Sequence, residues 1–116
     1  MWQIEATPQW DRDRKWYEKK FPAELAAVLH NLNRYLAQLN AAPNPQAFMA
    51  GYIHPEPHGV AAIDQKGGGK NLQETRLYVF PCVERNVVYI ITIGNKDEQA
   101  SDIQFCSEFV KSLQAT

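Results

Sequence analysis

The chain is short of cysteine, has no long apolar run and carries almost no net charge, and each shortage closes off a class of protein. Cys82 and Cys106 stand far apart with no CxxC spacing, which supplies neither a zinc framework nor a disulfide scaffold. No stretch approaches the roughly 20 apolar residues that cross a bilayer. The opening "MWQIEATPQWDRDRK" lacks the basic-then-apolar layout of a secretory leader, so a cytoplasmic protein with no membrane contact is expected. A formal net charge of −1 is not that of a polycation that coats nucleic acid.

What is present fits one globular domain spanning 1–116, because 116 residues that are 45% hydrophobic can close a single modest core. The charge is unevenly spread. From Lys66 to Lys96 five basic residues (Lys66, Lys70, Arg76, Arg85, Lys96) meet only Glu74 and Glu84, a local +3. From Asp97 onward four acids meet only Lys111, a local −3. A positive patch can therefore exist on a protein that is not basic.

Periodicity divides the chain into elements. "WQIEA" alternates Trp2, Ile4 and Ala6 with polar residues and reads as a strand. Thr7 is a helix cap and Pro8 suits the first helical position, so a polar helix follows, anchored by Trp10, Trp16 and Tyr17. Phe21 before Pro22 marks a break. From Ala23 to Asn40, Leu25, Val28, Leu29, Leu32, Tyr35, Leu36 and Leu39 form one apolar helical face, with His30, Asn31 and Asn33 off it. "NPQAFMAGYIHPEPHG" is proline-rich and irregular. "VAAIDQ", "TRLYVFPC" and "VVYIITIG" read as strands, the last two joined as a hairpin by "VERN". "SDIQFCSEFVKSLQ" is a closing helix, with Ser101 and Gln104 in capping-box spacing. The expected order is β-α-α-β-β-β-α, an α+β protein with the N-terminal helices packed on a curved, mostly antiparallel sheet.

The stretch "QKGGGKNLQETR" invites a phosphate-binding reading, which fails on detail. A P-loop requires GxxxxGK followed by Ser or Thr and a helix; here Asp64 replaces the first glycine, Asn71 follows Lys70, and a strand comes next. The three glycines read as a hairpin connection. Lys66 and Lys70, near Arg76, remain candidates to close on a polyanion. "HPEPH" brings His54, Glu56 and His58 close in sequence, but the prolines hold the chain extended, so a surface loop is favoured over a zinc site; no metal or cofactor is expected. His58 could serve as a base if its loop folds over Arg76.

The stretch "ETRLYVFPCVERNVVYIITIGNKDEQASDIQFCSEFV" resembles the RelE/ParE/HigB toxin superfamily. The likeness lies in an arginine opening a strand (Arg76), a hydrophobic hairpin, and a basic residue (Lys96) before a polar stretch and a C-terminal helix. The first half fits the family's helical hairpin in layout alone. The resemblance implies a RelE-like fold and a toxin of a toxin–antitoxin pair. Its activity would be ribosome-dependent cleavage of mRNA, and its partners an antitoxin protein and ribosome-bound mRNA. On the ParE side of the family the target is gyrase. The implied site centres on Arg76, whose fork can bind two phosphate oxygens. Lys66, Lys70 and Lys96 would add charge, and Tyr78, two residues along the same strand face, would handle protons unless it is a core aromatic. The chain departs from the family in its weak basicity and in having neither tyrosine nor histidine in "ASDIQFCSEF". The competing expectation is a catalytically silent RelE-like domain that binds a protein partner or self-associates as a homodimer.

Overall fold

The structure, a computed structural model, describes residues 1–42, 44 and 50–115. The first strand, β1 (Gln3–Ala6), ends at Thr7, whose hydroxyl accepts from the Trp10 amide and starts α1 (Pro8–Lys20). Thr7 is itself buried and donates its hydroxyl to the Ile91 carbonyl at 2.6 Å, so the cap also locks the helix to the sheet. Phe21 ends α1, and Pro22 opens α2 (Pro22–Ala41). Four strands follow: β2 (Ile53–Pro55), β3 (Ala61–Ile63), β4 (Thr75–Cys82) and β5 (Val87–Asn95). The chain closes with α3 (Gln99–Gln114). No helix of the described residues is long and apolar enough to cross a membrane.

One five-stranded sheet carries everything, in the order β1-β5-β4-β3-β2. β1 runs parallel to β5, and the remaining pairs are antiparallel. Alternation along β4 sends Leu77 and Val79 to a core with α1 and α2, built on Trp10, Tyr17, Leu25, Val28, Leu32, Tyr35 and Leu39. Tyr78 goes to the opposite face and a second core with Ala62, Ile91, Cys106 and Val110. A bulge opposite Tyr78 and Val79 leaves Ile91 unpaired in the register, since Tyr78 faces Thr92 and Val79 faces Ile90.

Several expectations change. The order contains four strands after the helices, not three; β2 was hidden because Pro55 and Pro57 disguise it, and proline is tolerated there because β2 is an edge strand. Of the stretch "NPQAFMAGYIHPEPHG", residues 45–49 lie outside the described residues. The sheet face away from α1 and α2 is not open: α3 covers it with Cys106 and Val110. Ser101 lies inside α3, and the capping box is made six residues earlier, where Asn95 accepts from the Asp97 and Glu98 amides and Glu98 accepts from the Asn95 amide. Asn31 is buried at 1% exposure, because its side chain has carbonyls to serve below the helix. β1 itself is exposed throughout, with buried Trp2 and Thr7 on its flanks, and Ile4 is 49% exposed, as the edge position leaves that side uncovered.

Candidate functional site

The three-glycine loop is set by α2. Asn31 Nδ2 donates to the Asp64 and Lys66 carbonyls at 2.9 and 3.0 Å, and Glu24 Oε2 accepts the Gln73 amide at 3.0 Å. Between these ties Gly68 passes so close to the helix that a Cβ there would stand 2.3 Å from that of Ala27. The loop therefore docks on the helical side of the sheet, whereas Arg76 points to the other side. Lys66 turns back, with its ammonium donating to the Gly51 carbonyl at 2.9 Å and standing 3.8 Å from Asp64. Lys70 is exposed. Lys66 thus reaches the carboxylate that meets His54, and neither lysine touches the carboxylates that hold Arg76.

Arg76 opens β4, and by alternation shares its face with Tyr78. Its guanidinium lies between two carboxylates, 3.5 Å from Glu56 and 3.4 Å from Glu74, with a side chain only 19% exposed. Glu56 enters because its amide bonds to the Val60 carbonyl, which continues the β2–β3 ladder past Pro55. Burial raises the Glu56 pKa, and Arg76 and His54 pull it back down.

His54, weighed from the sequence only as a metal ligand in "HPEPH", has a different partner in the fold. It sits on β2 opposite Ala62, which itself faces Tyr78 on β4, so all three share the Arg76 face. The ring Nε2 meets Asp64 Oδ2 at 2.6 Å. Asp64 is 3% exposed and lies just past the end of β3; its Oδ1 accepts the Lys66 amide at 2.8 Å. The signal lay in the hairpin itself. With "PEPHGV" as the turn, His54 and Asp64 become diagonal neighbours across two strands. His58 does not join them. It stands exposed with a positive φ of 64°, in a groove with Phe80, Pro81 and Val83 at the far end of β4 from Arg76. His54, Glu56 and His58 therefore do not converge, and among the described residues no group of three His, Cys, Asp or Glu side chains is placed to hold a metal.

The patch continues toward α3. Tyr78 is fully buried, and its hydroxyl, the Arg76 Nε and Asp102 Oδ2 have no hydrogen-bond partner among the described residues. Burial, followed by the carboxylates of Asp102 and Glu56, raises the Tyr78 pKa, with Arg76 opposing. Asp102 lies over Gly94, where a Cβ would fall 1.9 Å from its carboxylate oxygen. Burial, then Glu98 and Asp13, push its pKa up to about 7. Asp13 reaches the same end of the sheet from α1, where it accepts from the Thr92 hydroxyl at 2.6 Å. Cys106 is an unreactive thiol, pushed up to about 12 by burial and by Asp102. Lys96 is exposed in the short turn Lys96–Glu98 at the end of β5, and Gln99 beside it donates to Glu74.

In comparisons with family models, curated proteins and solved structures, nothing matches this chain.

Proposed function

We propose that the chain is a RelE-like toxin-type endoribonuclease that cleaves ribosome-bound mRNA and is restrained by an antitoxin protein. The observation that carries the reading is Arg76, placed at the start of β4 on the same sheet face as the His54–Asp64 pair. Attack of a 2′-hydroxyl on a phosphodiester needs a cation for the charged phosphorane and a group that takes a proton. Arg76 supplies the first, and its fork matches two phosphate oxygens. A phosphate bound there must displace Glu56 and Glu74, so its affinity depends on the rest of the RNA being held as well. Few cations gather there among the described residues, Arg76 and the Lys66 ammonium near Asp64, which suits a protein that receives its RNA from the ribosome rather than by bulk electrostatic attraction.

The same two carboxylates favour a second reading, a catalytically silent RelE-like domain that binds a protein partner or self-associates. Arg76 is then a structural ion-pair centre tying β4 to Glu56 and Glu74. Induced expression with mapping of mRNA 5′ ends separates the two. Growth arrest with new ends, lost in Arg76→Ala, supports the endoribonuclease. Arrest without new ends points to a gyrase-directed toxin, and no arrest at all supports the silent domain.

A further inference from the structure

His54 is neither a metal ligand here nor a plain surface residue. A carboxylate accepts hydrogen bonds and cannot donate one, so the 2.6 Å contact with Asp64 Oδ2 puts the ring proton on Nε2. That leaves the lone pair on Nδ1, which has no hydrogen-bond partner among the described residues. Asp64 cannot swing away from this role. It is 3% exposed, its other oxygen accepts the Lys66 amide, its own amide is bonded to Tyr52 and its carbonyl is held by Asn31. The His54 side chain is 31% exposed, so the imidazole can meet a substrate that Asp64 itself cannot touch. Arg76 lies two strands over, roughly 10 Å along the sheet. Both side chains lower the Glu56 pKa against the effect of burial, and Glu56 lies 3.5 Å from the Arg76 guanidinium. A buried acid orienting an accessible imidazole beside an arginine is an arrangement for moving a proton next to a phosphate.

We infer that His54, oriented by Asp64, is the general base that activates the attacking 2′-hydroxyl, an inference that rests on the endoribonuclease reading above. The 2′-hydroxyl proton passes to His54 Nδ1 as the O2′–P bond forms. Arg76 holds the non-bridging oxygens, the P–O5′ bond breaks, and O5′ takes a proton from water. The products are a 2′,3′-cyclic phosphate and a 5′-hydroxyl, and the imidazolium, stabilised by Asp64, returns its proton to solvent. A merely structural His54 would instead pin β2 to β3 and do nothing to the RNA.

The test is single-turnover cleavage of mRNA on purified ribosomes by the full chain and its variants, with the ends of the products identified. His54→Ala should lose about 10²–10⁴-fold in rate, with RNA binding kept. Added imidazole should restore part of that rate, since the site is open to solvent, and should do nothing for Arg76→Ala. His54→Gln keeps a donor toward Asp64 and should stay folded yet equally slow. Asp64→Asn should slow the reaction without rescue. A His54→Ala rate equal to wild type while Arg76→Ala is dead overturns the inference and leaves the endoribonuclease reading standing. Loss confined to Glu56→Gln overturns it too, by assigning the base to Glu56. A wild type that cleaves nothing overturns both.

Discussion

Tyr78 is fully buried, yet its hydroxyl has no partner among the described residues. A buried hydroxyl without a hydrogen bond contributes nothing to stability and carries a desolvation cost. Tyr78→Phe should therefore leave stability unchanged or raise it by up to about 1 kcal/mol, read by urea denaturation. Lost cleavage in that stable variant would give the hydroxyl a part in the chemistry; retained cleavage would make Tyr78 a core aromatic. Asp102 has a different signature. Its pKa is about 7 in the folded protein against an ordinary 3.8, so the folded state keeps a proton that the unfolded chain has released. Stability attributable to Asp102 is therefore full below about pH 4 and falls as the pH rises toward 7. Asp102→Asn should flatten that decline and be the more stable protein at pH 8. The gain is on the order of 1–2 kcal/mol, about half the full shift, because part of the group faces solvent. A variant that loses stability at pH 8 would mean that Asp102 makes an attractive contact there.

At the scale of elements, α2 carries the most weight. Leu32 is 4% exposed in the core between α2 and the sheet, so Leu32→Ala should cost about 2–5 kcal/mol. A cost below about 0.5 kcal/mol would place that face outside the core. One residue earlier, Asn31 does something that helical periodicity does not reveal. It holds the Asp64 and Lys66 carbonyls and so fixes the start of the glycine loop and the position of the acid that orients His54. Asn31→Ala should cost about 1–3 kcal/mol and speed amide exchange across Lys66–Asn71 more than elsewhere. Uniform exchange across the chain would show that the loop does not depend on α2.

For the whole molecule, the two cores share β4 and β5, with Leu77 and Val79 on one side and Tyr78 on the other. Neither core can dissolve without stripping the same strands. Trp2 and Trp10 report on the α1–α2 side, and Cys106 on the α3 side. Urea transitions followed by tryptophan fluorescence and by Cys106 labelling should coincide. Separate midpoints would make α3 an independently opening unit. The edges of the sheet are unlike one another: Pro55 blunts β2, whereas β1 is wholly exposed along Gln3–Ala6.

Local chemistry was enough for much of this protein. Thr7 and Pro8 start α1, Phe21 and Pro22 divide the helices, and "VERN" turns the β4–β5 hairpin, because caps, proline geometry and tight turns depend on neighbours in the chain. The apolar stripe of α2 and the placing of Arg76 with Tyr78 on one strand face follow from periods of 3.6 and 2. Tertiary structure alone decided the rest. It laid α3 over the face that Arg76 shares, seated the start of the glycine loop and Gly68 against α2 and buried Asn31. It also gave Arg76 Glu56 as a partner and His54 Asp64, contacts that exist only because β2 pairs with β3 in one register. Register is set by which residues bury together across the whole sheet, and no local run of sequence carries that information.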